Sequence, residues 1–397
     1  MRMKRILALL TTALLLIPGG VRAEDRQGAE ARDLTAECVF QTNGKTKDYA
    51  LFQDGELKTY FPFREKRGTL TITAPEPAGG ISVMLFDRFG RPLSYDLQVP
   101  DGEGEWRTVA RGGEYLVHWH PLETPARELR IAATCKERLR IAELKVFSPG
   151  EKPAEIQDWE TLTKCDLMLL TAHPDDEILW FGGLLPVYAG ERGYRVQVSV
   201  MVPTGGQRKL ELLSALWHCG VKGYPDFLGF LDKNGHEPKN QYSLWRGKSR
   251  VLGKVVETIR RFRPEVLMTH GEKGEYGHGA HKTAADAAKA ALKLAADGKS
   301  YPDSAKTYGA WQIKKVYLHE YAVNPIVCDW TRPLEAFGGK TGYEVAEEAF
   351  AFHGSQTRRN WVFEIHGEHD NAHFGLYYTE VGPDSGAGDL MEHIPEG

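Results

Sequence analysis

The sequence predicts an α/β fold, built on a mostly parallel sheet, preceded by an all-β jelly-roll or sandwich domain. Three observations carry this. From residue 162 onward, short apolar runs alternate with stretches of helical period, the pattern of βαβ units. From Cys38 to Phe147, short alternating runs are separated by Gly, Pro, Asp and Glu, with no helical period of useful length. Between them, Ser148-Pro149-Gly150-Glu151-Lys152-Pro153-Ala154-Glu155 reads as a linker, by its Pro, Gly and charge. The expected divisions are 1–23, 34–148, 149–161 and 162–397.

Met1-Arg2-Met3-Lys4-Arg5 is a basic n-region, Ile6 to Ile17 an apolar h-region, and Val21-Arg22-Ala23 a small-residue cleavage site, together a secretory signal peptide. The apolar run falls short of the ~20 residues a transmembrane helix needs, and no other stretch approaches that length. A secreted, cell-surface or periplasmic location is therefore expected, with no stable membrane span after cleavage. The 397 residues suffice for two domains, each with its own core. Charged residues make up 26% and the net charge is −4, with no basic cluster beyond the N-terminus, which argues against nucleic acid as a partner. None of the five cysteines, Cys38, Cys135, Cys165, Cys219 and Cys328, has zinc-motif spacing. Cys38 and Cys135 bracket the first domain, and export would permit a bridge between them; five free, buried thiols are the alternative.

In the first domain, Gly68-Thr69-Leu70-Thr71-Ile72-Thr73, Gly80 to Asp87 and Glu128-Leu129-Arg130-Ile131-Ala132 are strand candidates. In the second, strands are expected over 166–172, 195–202, 226–231, 265–270 and 314–321. Helices are expected over 184–192, 208–219, 248–262, 281–296 and 343–352, and Phe374 to Val381 forms a last strand or lid.

Two of these strands run into chemistry. The run Asp166-Leu167-Met168-Leu169-Leu170 is followed by Thr171-Ala172-His173-Pro174-Asp175-Asp176-Glu177. Proline and two acids end the strand, so an imidazole and two carboxylates sit at its carboxyl end, where open α/β sheets bind ligands. The run Glu265-Val266-Leu267-Met268-Thr269 leads into His270, then Glu275-Tyr276-Gly277-His278-Gly279-Ala280-His281 and an alanine-rich helix. Three N/O ligands and an open position make a catalytic metal site. His173, one of the two aspartates and a histidine from the second motif could supply them, the other aspartate acting as base. Spacing does not decide which aspartate binds.

These paired motifs resemble the PIG-L/LmbE family of metal-dependent N-acetylglucosaminyl deacetylases, over roughly 162–397. Arg208-Lys209-Leu210-Glu211, Asp232 after Leu228-Gly229-Phe230, and His353-Gly354-Ser355-Gln356 fit the same pattern. The resemblance implies a Rossmann-like domain that holds Zn²⁺, or Fe²⁺ or another divalent metal, on His173, Asp176 and His281. It implies Asp175 as general base, Tyr276 and His278 as oxyanion stabiliser and acid, and Arg208 and Asp232 as substrate contacts. Gly279-Ala280 stands where the family often has Pro-Asp; Glu272, Glu275 and Asp232 are the acids that could replace that support for His278. The first domain is similar to discoidin-like (galactose-binding-like) jelly rolls, through Asp54-Gly55-Glu56-Leu57-Lys58-Thr59-Tyr60 and Leu139 to Phe147. That likeness makes Tyr60, Trp106 and Trp119 candidate glycan contacts; each could equally fill the core.

The expected activity is removal of N-acetyl groups from GlcNAc- or GalNAc-type glycans or glycoconjugates, with release of acetate. The alternatives are a carbohydrate-binding or adhesion protein whose α/β domain does not turn over, and a metal amidase acting on another amide. Glu177 should cap or orient the helix after the first motif. His270 is a supporting residue or a plain strand end, His353 a weaker candidate, and His218, His236, His319, His366, His369, His373 and His393 structural or exposed.

Overall fold

The computed structural model describes residues 28–395 apart from 45–46, 64–65 and 89, so the expected leader lies outside the described residues. The first sheet is antiparallel, with strands β1 (Val39–Thr42), β2 (Phe61–Pro62), β3 (Thr69–Leu85), β4 (Tyr95–Pro100), β5 (Trp106–Gly112), β6 (Val117–Ala133) and β7 (Arg140–Phe147). Its order is β2-β7-β3-β6-β4-β5, with β1 on β3. The strands β3 and β6 are 17 residues each, and their register slips between Thr73 and Gly80. Bulges bend strands, and here the two halves of β3 take different partners, β1 before the slip and β7 after it. Leu70, Ile72, Ile81, Val83, Leu97, Leu129, Ile131 and Ile141 fill the space enclosed.

Trp119 packs edge-on against Phe147, and a Cβ at Gly80 would collide with its indole. It is a packing residue, and Trp106 lies under the Arg130 guanidinium at 3.8 Å. All five cysteines are free thiols. The bridge that export would permit is not made: Cys38 Sγ turns to the Leu34 carbonyl (3.4 Å) and Cys135 Sγ to that of Glu137 (3.2 Å).

The second body contains β8 (Leu167–Thr171), α1 (Asp176–Leu179), β9 (Val196–Val200), α2 (Gly206–His218), β10 (Asp226–Phe227), α3 (Pro238–Leu244), α4 (Lys248–Phe262) and β11 (Val266–Thr269). It continues with α5 (Gly279–Ala296), α6 (Pro302–Tyr308), β12 (Lys315–His319), β13 (Pro325–Val327), α7 (Gly342–Ala351), α8 (Gly354–Thr357) and β14 (His373–Thr379). The sheet order is β10-β9-β8-β11-β12-β14-β13. Strands β10 to β12 along that order are parallel, and β14 is antiparallel to both neighbours. The chain moves from β8 to β9 and β10 on one side, then crosses to β11 and β12 on the other. The switch point is therefore between β8 and β11, where such sheets open a crevice at their carboxyl ends. The first three parallel strands of the core, β8, β9 and β11, are buried at every residue, as sheets covered on both faces require.

Two elements differ from expectation. The helix expected over 184–192 is present over 184–191 but closes as a π turn at Pro186–Glu191, and an additional short helix, α1, precedes it directly after the first motif. Arg192 N–H reaches back five residues to the Val187 carbonyl (3.0 Å), and Gly190 packs too closely on Phe337 for a Cβ. The strand expected over 226–231 keeps its ladder only at Asp226–Phe227, because Gly229 turns to φ +79°. Phe374 to Thr379 is a paired strand.

The two bodies share a core. Phe86, Val117 and Ala142 of the first pack in one cluster with Leu210, Leu213 and Trp217 of α2. Lys209 Nζ meets Asp87 Oδ2 at 2.6 Å, both side chains nearly buried, and Leu116 N–H donates to Tyr224 Oη (3.1 Å). The stretch expected to be a linker is itself docked, with Trp159 buried against Trp217 and Tyr224. At the start of β12, the fully buried Lys315 ammonium bonds Asp384 and the carbonyls of Leu390 (3.1 Å) and Glu392 (3.0 Å). Tyr317 Oη donates to Asp384 Oδ2 (2.6 Å). Among the described residues no helix is long and apolar enough to cross a membrane.

Candidate metal centre

Strands β8, β11 and β12 lie side by side, with Thr269 level with Leu170 and Leu318. The residues just past their ends therefore converge: His173 to Asp176 after β8, His270 after β11, and His319 closing β12. The turn after β8 is held from within. Asp175 has φ +114°, a backbone strain held by its N–H donating to Glu177 Oε2 (2.8 Å). Glu177 stands in the first turn of α1 and takes the N–H of its N-cap residue, the capping or orienting part expected of it. It is fully buried, and its other oxygen meets His353 Nε2 at 2.7 Å.

His173, Asp176 and His281 form a triangle: His173 Nδ1 to His281 Nε2 is 3.3 Å, His173 Nδ1 to Asp176 Oδ2 3.5 Å, and His281 Nε2 to Asp176 Oδ1 3.5 Å. Ligands about 2.0–2.1 Å from a tetrahedral cation stand about 3.3–3.4 Å apart; the two imidazole nitrogens have that spacing, and each has a different oxygen of Asp176 at 3.5 Å. The donor chemistry fits such an ion. His281 Nδ1 meets Glu275 Oε2 at 2.7 Å, which puts its proton there and leaves a lone pair on Nε2, facing His173 and a carboxylate. Among the described residues two sets of three have ligand atoms close enough to share an ion, His173 with His278 and His281, and Asp176 with His270 and His281; it is the imidazole of His270 whose availability the neighbours decide. Both its nitrogens are engaged, however: Nε2 accepts the Ala172 N–H (3.0 Å) and Nδ1 meets Glu275 Oε2 (2.7 Å). It is a supporting residue.

Glu275 organises the centre. It is 1% exposed, and three imidazoles converge on it, from His270 and His281 on Oε2 and from His319 on Oε1 (2.6 Å). Burial opposes its charge, yet these histidines hold its carboxyl well below the usual range. Its carboxylate does not bond the His278 ring, the part for which sequence reasoning offered it; His278 meets Glu275 only through its backbone N–H on the Glu275 carbonyl (3.1 Å). Glu272 is paired with Lys289 instead, and Asp232 Oδ1 stands 3.7 Å from His173 Nε2. Among the described residues no carboxylate hydrogen-bonds His278. It is the N-cap of α5, and its Nδ1 accepts the Ala280 N–H (3.3 Å). Burial, then His281 and His173, push it down to about 4.

Asp175 faces the triangle from the other side. Arg208 Nη2 donates to its Oδ1 (2.7 Å) and to the Pro174 carbonyl. Burial raises Asp175 to about 7 against that guanidinium; a bound cation would draw it down again. Tyr276 is half exposed, with Oη 3.5 Å from His281 Nε2. Burial and the Asp176 and Asp175 carboxylates raise its hydroxyl, so it stays a proton donor. Trp180 Nε1 donates to Asp176 Oδ1 (3.0 Å), and with Tyr276 and Trp361 it forms an aromatic wall. His369 accepts the Tyr276 N–H (2.8 Å).

All eight residues singled out in the sequence thus lie in one region, in contact or through one neighbour. Sequence reasoning missed Glu275 as organiser, with His319, Trp180, Trp361 and His369. An acid between Gly274 and Tyr276 in the second motif was the available signal for Glu275; the others come from distant segments.

Fold and site together define a group of histidines and an aspartate that could hold a metal ion, at the switch point of a parallel α/β sheet. Residues 168–292 match the family model described as "PIG-L: GlcNAc-PI de-N-acetylase". A 1D-myo-inositol 2-acetamido-2-deoxy-alpha-D-glucopyranoside deacetylase 1 of Catenulispora acidiphila is 29% identical over 46% of this chain and 63% of its own length. A mycothiol S-conjugate amidase of Streptomyces coelicolor is 30% identical over 39% and 60%. The chain thus spans about six-tenths of the curated relatives it matches. A solved N,N'-diacetylchitobiose deacetylase of Pyrococcus horikoshii is similar at 16% identity, over 48% of this chain and 70% of its own, with a TM-score of 0.38.

Proposed function

We propose that the protein is a secreted, metal-dependent hydrolase that removes N-acetyl groups from amino sugars in glycans or glycoconjugates. The observation that carries this reading is the triangle of His173, Asp176 and His281, with the carboxylate of Asp175 beside it. Held there, Zn²⁺ or Fe²⁺ would acidify a water and polarise the acetyl carbonyl.

The rest is the work of the chain. Asp175 takes the proton of the attacking water through the oxygen that Arg208 leaves free. Tyr276 Oη donates to the oxygen on which charge develops. His278, whose Nδ1 is occupied by a backbone N–H, is neutral and presents Nε2–H. It therefore suits holding the acyl oxygen better than giving up a proton, a narrower part than the resemblance implied. The proton on Asp175 then goes to the departing amine. A C–O bond forms, the C–N bond breaks, and acetate and a free amino sugar leave.

The test is acetate release from a panel of N-acetylated sugars by the zinc-loaded protein and by D175N. Turnover by the former alone is expected. Full metal occupancy with no acetate from any sugar would sink the proposal. It would favour the second reading, an amidase on another amide, which the similarity to a mycothiol S-conjugate amidase supports.

A further inference from the structure

The metal centre opens into a cleft between the two bodies, with a volume of about 620 Å³, within the range of ligand sites. Tyr60 and Arg88 line it from the first body, and Arg208, Asp232 and Arg359 from the second. The cleft is continuous with the reacting groups, because Arg208 is bonded to Asp175 and Asp232 stands beside His173. Three guanidinium groups face one carboxylate. Arg208 is offset by Asp175, whereas Arg359 has no ion pair among the described residues. Arg88 Nη1 donates to Tyr60 Oη (3.1 Å), and the Tyr60 ring stacks on Phe86 at 4.6 Å, so the first body presents a fixed wall. The 13-residue helix α2 begins in the cleft at Gly206, its first N–H groups adding positive potential. Thr204 Oγ1, also in the lining, is buried without a hydrogen-bond partner.

We propose that this cleft seats an anionic substituent of the substrate, a carboxylate, phosphate or sulfate borne on or next to the N-acetylated sugar, with Arg88 and Arg359 as its contacts. The proposal rests on the deacetylase reading of the metal centre. It gives the first body a part in choosing the substrate. Guanidinium groups suit such anions because their N–H forks match the oxygens of carboxylate and phosphate.

The experiment compares kcat/KM for N-acetylglucosamine, its 6-phosphate, its 6-sulfate and N-acetylmuramic acid. At low salt at least one anionic sugar should exceed the neutral one by about tenfold or more, as expected for a charge-assisted hydrogen bond. The three anionic arms identify the group. The double variant R88Q/R359Q should bring that ratio near one, and R88K/R359K should restore much of it, which a merely structural role would not do. A ratio near one for all three in the unaltered protein overturns the proposal, as does a ratio that the Gln variant leaves unchanged. If no sugar releases acetate, the activity reading has failed, and calorimetry with the same four sugars decides the cleft by itself. Tighter binding of an anionic sugar, lost in R88Q/R359Q, supports it; equal binding of all four overturns it.

Discussion

Glu275→Gln tests the organisation of the centre most sharply. The change keeps size and shape and removes the charge. The carboxylate meets three ring nitrogens, at 2.7, 2.7 and 2.6 Å, in a pocket closed to water. A glutamine has one acceptor oxygen. If that oxygen takes His270 and His281, its NH₂ confronts His319, and the reverse choice confronts two donors. His319, whose Nε2–H faces the Asp370 carbonyl (3.0 Å), can accept that NH₂ at Nδ1, but the network loses its negative charge, and removing one partner of a buried ionic network costs about 3–5 kcal/mol. His281 also loses the group that fixes its tautomer, so Nε2 is no longer reserved for the metal. Losses of such supporting groups weaken metal affinity about 10–100-fold. Competition with a chromophoric chelator would read the affinity, and urea unfolding of the metal-free protein the stability. Metal affinity within twofold of the unaltered protein would refute the reasoning, whatever happens to stability.

Asp176→Ala and His281→Ala should each strip the metal, whereas Asp175→Asn keeps it and loses at least about 10²-fold in turnover; elemental analysis beside acetate release decides, and equal metal loss in all three would mean the roles are wrongly assigned. His278→Ala should cost about 10²–10³-fold, while His278→Gln, which donates a hydrogen bond but no proton, should recover much of it; equal losses would return His278 to the role of acid. The first body should weaken in acid. Burial, then His118, lowers His120 from 6.5 to about 4, and burial lowers His118 too. The unfolded chain therefore takes up protons below pH 6.5 that the folded one refuses, so stability is full above that value and falls as pH drops toward 4. His120 alone accounts for about 3 kcal/mol; because burial raises Glu143 to about 7 and acts in the opposite sense over the same range, the test compares urea midpoints at pH 7.5 and 5 for the protein and for H120N, and an identical pH dependence in the two would contradict this.

The sequence made the centre legible because its ligands lie in two motifs, each after a short apolar run that suits a buried strand, although pattern alone also allows a buried helix segment there. Buried parallel strands need unbroken apolar runs, and Leu167 to Thr171 and Val266 to Thr269 supply them. What stayed hidden depends on register. His319 lies 44 residues beyond Glu275, and only the pairing of β11 with β12 brings them together. The π turn at Pro186–Glu191 comes from Gly190 wedged against Phe337, a contact between distant segments. Tyr60 and Arg88 become cleft residues only through the docking of the bodies. The Gly279-Ala280 departure was visible, but its consequence was not. Ala280 is 1% exposed within the apolar core, so restoring an acid there by A280D would bury a carboxylate.

The clamp on Lys315 has a consequence for synthesis. Residues 39–147 complete the first sheet, but β12 cannot settle until Asp384, Leu390 and Glu392 have left the ribosome, since they alone satisfy a fully buried ammonium. At about 5–20 residues per second, the first sheet waits tens of seconds for the last strands of the second body to settle. Until α2 has been made and has docked, Phe86, Val117 and Ala142 lack the face that covers them. This apolar patch is what a nascent-chain chaperone would meet, and where premature release would begin aggregation.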